Sequence, residues 1–118
     1  MASPIIIKIA KGFVRIKNKT CYFNQRGKLV KDSWVFYKGK KYRADHWGTI
    51  KKNCFVCVDG KFYFLKADGS ARKGWQQFPY GLAYFGNDGV LRKGLQTING
   101  KAYLFSQKGI LLTGTQTV

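Results

Sequence analysis

Apolar and polar positions alternate over short stretches of this chain, and the same arrangement returns every 20 or 21 residues. The clearest copy is Gly94–Gly114, which has an apolar opening at Leu95, a turn at Asn99-Gly100 and a second apolar run from Ala102 to Phe105. Two short strands joined by Asn-Gly are typical of a β-hairpin. A single hairpin is marginal in water because it cannot bury its apolar face alone, so the pattern predicts stacked copies.

The copies align on a glycine that follows the second apolar run. These glycines are spaced by 21, 21, 20 and 20 residues: Gly27, Gly48, Gly69, Gly89 and Gly109. The opening position is apolar in every copy: Phe13, Trp34, Phe55, Trp75 and Leu95. A period of this length is typical of solenoids and repeat arrays. The sequence therefore predicts an all-β fold, a solenoid of about five stacked β-hairpins with 20–21-residue repeats and turns near residues 18, 39, 60, 80 and 100.

The chain has 118 residues, the length of one domain, and we expect residues 1–118 to form a single hairpin repeat domain. The predicted repeats are 12–32, 33–53, 54–73, 74–93 and 94–113, with a half-unit at 1–11 and a partial unit at 114–118. The half-unit is either a cap or the end of a preceding repeat in a longer protein. No run reaches the roughly 18 apolar residues of a membrane span. If the protein is secreted or at the cell surface, its signal peptide lies outside this chain.

The charge is strongly basic. The chain contains 22 Lys and Arg against five acidic residues, a net charge of +17, and residues 1–52 hold 14 of the bases and two of the acids. Such a field attracts polyanions: nucleic acid, teichoic-type polyphosphate, acidic polysaccharide or anionic lipid headgroups. The alternative is that the lysines only protect strand edges and keep the chain soluble. The predicted anionic-polymer site is the basic group on the second hairpin: Lys38, Lys40, Lys41 and Arg43.

Catalytic chemistry has few candidates in this sequence. The single histidine, His46, lies in a predicted surface loop with no partner that spacing identifies, and we expect no enzyme, no cofactor and no metal site. Cys54 and Cys57 form a C-x-x-C pattern, but on a strand residues three apart face opposite sides, and no second ligand pair exists. Packing of small residues explains the cysteines, including Cys21, better than redox or zinc chemistry, while a disulfide between two of them is left open.

The pattern G-[WL]-x-x-x-x-G-x-x-Y-x-F-x-x-x-G occurs at Gly94-Leu95, Gly100, Tyr103, Phe105 and Gly109. It resembles the cell-wall-binding repeats of Gram-positive surface proteins. That superfamily includes choline-binding modules, the glucan-binding repeats of glucansucrases and the receptor-binding repeats of clostridial toxins. The resemblance implies a left-handed solenoid of β-hairpins that holds ligands in the grooves between successive hairpins.

The resemblance also implies an aromatic cage wherever choline is bound, because rings attract a quaternary ammonium. One cage wall comes from the column that reads Thr20, Lys41, Phe62, Leu82 and Ala102 here. Only Phe62 suits that role, with Phe55 in the opening position and Tyr84 from the next hairpin. A chain of net charge +17 repels a free cation, so recognition of glucan or of an anionic polymer fits better than recognition of choline.

Aromatic residues make up 16% of the chain and can either fill a core or stack on flat ligands. Trp34 and Trp75 are the first candidates for ligand stacking, and the second candidates are Tyr42, Tyr63, Tyr84 and Tyr103. The alternative is that all of them belong to the solenoid core.

Three classes of function remain. The first is a noncatalytic cell-wall or carbohydrate-binding module of a secreted bacterial protein, with cell-wall polysaccharide, teichoic-type polymer or glucan as its partner. The second is a basic all-β nucleic-acid-binding protein, since aromatic residues interleaved with Lys and Arg also suit single strands, although no known nucleic-acid motif is present. The third is a structural repeat spacer.

Overall fold

The computed structural model describes residues 10–112, and every regular element within them is a β-strand. Ten strands of five residues form five antiparallel hairpins: β1 (Gly12–Ile16), β2 (Lys19–Phe23), β3 (Ser33–Tyr37), β4 (Lys40–Ala44), β5 (Cys54–Val58), β6 (Lys61–Leu65), β7 (Gly74–Phe78), β8 (Gly81–Phe85), β9 (Gly94–Ile98) and β10 (Lys101–Phe105). The predicted all-β hairpin-repeat fold is confirmed, with the turns at the predicted places. Within residues 10–112 no helix has the length and apolarity that a membrane span requires.

The chain divides into two compact units, Met1–Lys52 and Asn53–Val118. The described part of the first unit contains two hairpins, and that of the second contains three. The predicted half-unit 1–11 lies almost entirely outside the described residues, and the predicted partial unit 114–118 lies wholly outside them. The assignment of 1–118 to a single domain stays a prediction.

The loop that follows each second strand is closed in the same way five times. In the second hairpin the N–H of Asp45 donates to the carbonyl of Thr49 (2.9 Å), and the N–H of Gly48 donates back to Asp45 (3.0 Å). The Asp45 carboxylate also accepts the N–H groups of Trp47 and Thr49. Asn24 and Ser106 serve as side-chain acceptors at the equivalent position. A short polar side chain here satisfies loop N–H groups that would otherwise lack a partner.

Backbone hydrogen bonds tie consecutive hairpins together within each unit. The N–H of Ile50 donates to the carbonyl of Thr20 (2.8 Å) in the first unit. In the second unit the N–H of Leu91 donates to Phe62 (2.8 Å), and the N–H of Leu111 donates to Leu82 (2.8 Å). In these three cases the segment after the loop glycine pairs with the second strand of the preceding hairpin, which covers polar groups that an isolated hairpin leaves bare.

The core lies between stacked hairpins, because side chains alternate between the two faces of every strand. In the first unit it contains Val35, Tyr42, Ala44 and Ile50, with Phe13, Tyr22 and Val30 packed against it. In the second unit Phe78, Ala83 and Phe85 form a core cluster, with Phe64 and Leu91 beside it. The opening aromatic residue of one hairpin meets the next hairpin: the ring centroids of Phe13 and Tyr42 are 4.8 Å apart, and those of Trp75 and Tyr103 are 5.0 Å apart.

Trp75 is half-buried and contacts three rings, those of Tyr84 at 4.9 Å, Tyr103 at 5.0 Å and Phe105 at 5.9 Å. We expect Trp75→Ala to lower the free energy of unfolding by about 2–4 kcal/mol, since these contacts are lost and a cavity is left. Leu95 occupies the same repeat position in the next hairpin but is 73% exposed. Leu95→Ala is therefore the matched control, with an expected loss under about 0.5 kcal/mol. Equal losses in urea denaturation would show that Trp75 is not part of the packing.

Gly109 combines a positive φ with a close approach to the preceding repeat. Its φ is 81°, and a Cβ atom added there would lie 2.5 Å from Cδ2 of Leu91. Gly100 has a similar φ of 80° but nothing within 4 Å of such an atom. The two positions therefore separate backbone strain from crowding between repeats.

We expect Gly100→Ala to cost about 1–2 kcal/mol, the penalty for a left-handed conformation. Gly109→Ala should cost at least about 1 kcal/mol more, because its methyl group also overpacks against Leu91. Chemical denaturation of the two variants gives the difference directly. If Gly109→Ala is no worse than Gly100→Ala, the loop does not rest on Leu91 in solution.

Candidate functional site

The second hairpin carries aromatic rings and bases on one face. The register places Trp34 opposite Arg43 and Phe36 opposite Lys41. The Nζ atom of Lys41 lies 4.2 Å from the centroid of the Trp34 ring, and Cζ of Arg43 lies 5.2 Å from it. Lys41 Nζ is also 5.9 Å from the Phe36 ring, which is 70% exposed. We call these four residues the basic-aromatic face.

Two of the four bases predicted to bind an anionic polymer belong to this face, Lys41 and Arg43. Lys38 lies in the hairpin turn, with Nζ 5.4 Å from the Tyr37 ring. Lys40 is opposite Tyr37 in the register, so it points to the other side of the hairpin. A cation over an aromatic ring is attracted by the negative face of the ring, and this holds the Lys41 and Arg43 charges in place.

The third hairpin contributes to a cavity of about 250 Å³ in the second unit. Its lining residues come from β5, β6, the segment before β9 and the loop after β10: Phe55, Phe62, Leu91, Lys93, Gln107 and Lys108. Lys93 Nζ lies 4.8 Å from the centroid of the Phe62 ring. The structure thus brings the predicted pair Phe55 and Phe62 together, and places an ammonium group of the protein itself over one of the rings. We call this the Lys93 cavity.

The other predicted aromatic residues lie elsewhere. Tyr84 does not line the Lys93 cavity but packs against Trp75, with ring centroids 4.9 Å apart. Tyr42 and Tyr63 are buried, and Tyr103 packs against Trp75. Tyr42 and Tyr63 are thus core residues, whereas Tyr84 and Tyr103 are half-buried beside Trp75. That any of these rings stacks on a ligand stays a prediction.

Two features were not found from the sequence. Lys93, Gln107 and Lys108 line the cavity although they lie outside the aromatic columns, so periodicity gives no signal for them. Trp47, an exposed residue, lines a cavity of about 490 Å³ in the first unit together with residues 16–19, Cys21 and Thr49. Its only sequence signal is that it is an aromatic residue outside the repeating columns.

A third cavity, of about 230 Å³, is polar, and its lining includes Tyr84, Arg92 and Gln96. Arg92 Nη2 is 3.3 Å from Oδ1 of Asp88. Burial raises the pKa of the Asp88 carboxyl, but the N–H of Val90 and the charge of Arg92 outweigh it, so the pKa is lowered overall. Asp88 is therefore an ionised loop acceptor, unsuited to act as a general acid at neutral pH.

The remaining reactive groups are dispersed. His46 Nδ1 and Asp32 Oδ2 are 2.9 Å apart and both side chains are exposed, which makes the pair a weak surface contact. Cys54 is half-buried and Cys57 is exposed, and their positions in β5 place them on opposite faces. Among residues 10–112 no three His, Cys, Asp or Glu side chains are grouped so as to hold a metal ion.

The chain is similar to known proteins in sequence and in fold. Residues 55–71, from Phe55 in β5 to Ala71, match the model of the cell wall binding repeat family. The chain is 35% identical over 83 residues to glucosyltransferase-S of Streptococcus mutans, an alignment that covers 68% of this chain and 6% of that enzyme.

Solved structures show the same fold. CbpJ from Streptococcus pneumoniae matches with a TM-score of 0.84 at 24% identity, over 92% of this chain and 37% of that one. Choline binding protein F from Streptococcus pneumoniae matches with a TM-score of 0.80 at 22% identity, over 92% of this chain and 40% of that one. The chain thus spans less than half of each relative.

One hairpin matches the family model, the other hairpins repeat its length and turns, and the fold is that of solved choline-binding proteins. The resemblance that the sequence pattern indicates is therefore confirmed: one segment of the chain matches the cell-wall-binding repeat family, and it lies in an array of similar hairpins.

Proposed function

We propose that the chain is a noncatalytic module of a secreted or cell-surface bacterial protein, and that it binds an anionic cell-wall polymer through the basic-aromatic face. The observation that carries the proposal is the pair of cations over one ring, Lys41 at 4.2 Å and Arg43 at 5.2 Å from the Trp34 centroid. The family match and the net charge of +17 support the same function.

The arrangement favours an anion over choline for a physical reason. A quaternary ammonium binds an aromatic ring through the negative charge of the ring face, and here protein cations already lie over the ring. A choline group approaching Trp34 would meet two like charges. A phosphate or carboxylate would instead form charge-assisted hydrogen bonds with the same two groups.

The exposed ring of Phe36 adds an apolar surface beside the charges. Sugar rings have apolar faces that stack on aromatic side chains. A polymer that alternates charged groups with sugar or polyol units would therefore contact both parts of the face. Teichoic-type polymers and acidic polysaccharides have this composition, whereas a neutral glucan would use only the rings.

The test is retention of the chain on purified Gram-positive cell walls. Neutralising Lys38, Lys40, Lys41 and Arg43 to Gln should weaken retention at least about tenfold, since each base near an anionic surface contributes about 1 kcal/mol. Retention by the parent chain should also fall steeply with salt, because counterions are released on binding.

The matched control neutralises Lys11, Arg26, Lys28 and Lys31. These four are exposed, lie in the same unit and likewise comprise three lysines and one arginine. Retention of this control should change by less than about threefold. Equal losses in both variants would show that net charge, and not the basic-aromatic face, determines binding. Tighter binding to neutral α-glucan or to single-stranded DNA than to walls would contradict the choice of ligand.

A further inference from the structure

We infer that the Lys93 cavity is a second, separate binding site, whose ligand is a single sugar ring that carries an anionic group, either phosphate or carboxylate. The inference rests on the proposed function, because the ligand would be a unit of the wall polymer or polysaccharide. The residues are different, since the cavity belongs to the second unit and the basic-aromatic face to the first.

The size and the apolar wall of the cavity set the scale of the ligand. The volume of about 250 Å³ lies below the roughly 300–1,000 Å³ of sites for drug-sized ligands, so it suits one ring. Phe55 is 43% exposed and Phe62 is 38% exposed, so parts of both rings are open to a ligand. With Leu91 they form the wall on which the apolar face of a sugar can stack.

The positive charge of the cavity indicates that its ligand is negatively charged. Two ammonium groups, of Lys93 and Lys108, are among its six lining residues, and none of the six is acidic. Lys93 Nζ lies 4.8 Å from the centroid of the Phe62 ring, the position that the ammonium group of a choline ligand would otherwise take. A quaternary ammonium would have to displace it beside a second positive charge. An anionic group would instead accept hydrogen bonds from both lysines and from the amide of Gln107.

The cavity is held together by backbone contacts rather than by mobile side chains alone. The N–H of Leu91 donates to the carbonyl of Phe62 (2.8 Å), which fixes one wall against the other. The Gln96 side chain donates to the carbonyl of Lys93 (2.8 Å), which fixes the backbone of the lysine. The close seating of Gly109 on Leu91 brings the neighbouring Gln107 and Lys108 to the rim. A preformed site loses less entropy on binding.

The experiment is an NMR titration of the parent chain with four probes: glucose 6-phosphate, glucuronic acid, glucose and choline chloride. We expect one or both anionic sugars to bind at least about tenfold more tightly than glucose, and choline to bind no more tightly than glucose. The two anionic arms distinguish a phosphate source from a carboxylate source. Shifts should concentrate on Phe55, Phe62 and Lys93.

Lys93→Met keeps an unbranched chain over Phe62 and removes the charge, so it should lose at least about tenfold in affinity for the anionic sugar. Lys93→Arg should retain that affinity within about threefold. Lys101→Met is the control, because Lys101 is an exposed lysine at the start of β10 outside the cavity lining. Thermal melts of all three variants check that the fold is intact.

The inference is overturned if choline or glucose binds as tightly as both anionic sugars, or if Lys93→Met leaves the anionic sugar unaffected. Its failure is distinct from failure of the proposed function. Neutralising Lys38, Lys40, Lys41 and Arg43 should leave the sugar titration unchanged, and Lys93→Met should leave most wall retention in place.

Discussion

A two-stranded hairpin of five-residue strands cannot bury either of its faces, and the packing of the described residues depends on how consecutive hairpins stack. Within each unit, the segment after one hairpin's loop pairs with the second strand of the hairpin before it, as Leu91 does with Phe62. The loop glycine Gly109 lies directly against Leu91, whose side chain would have to shift to admit a larger residue. Among residues 10–112, stacking leaves some side chains exposed, and the proposed sites are built from these.

Two of these open positions share one arrangement, although they lie in different units. Lys41 and Arg43 lie over Trp34, and Lys93 lies over Phe62. In each case the ring face carries a cation supplied by the protein. Cation–π attraction then works within the chain, where it orders a flexible basic side chain and places its positive charge beside the ring. Under the proposed function, this arrangement makes both sites favour an anion over an ammonium group.

The sequence predicted the hairpins well because their signals are local. Asn99-Gly100 both have positive φ, as a two-residue hairpin turn requires, and the period of 20 or 21 residues located every loop. Two other features could not be predicted from the repeat pattern: which residue takes the left-handed conformation at the start of a repeat, and which side chains meet between repeats. The left-handed residue that begins three repeats is a glycine, but in the second and third repeats Asp32 and Asn53 take that role one position earlier. The partnership of Lys93 with Phe62 joins different repeats, so only stacking reveals it.

The central claim is that side-chain cations of the protein itself lie over the Trp34 and Phe62 rings, and that the ligand is therefore anionic. The most direct measurement is elution of the wild-type chain from purified cell walls at constant ionic strength. Choline chloride should elute no more protein than sodium chloride does, whereas soluble polyphosphate should release most of it. Selective elution by choline, with no effect of polyphosphate, would contradict the account and would mean that the rings accept an external ammonium group.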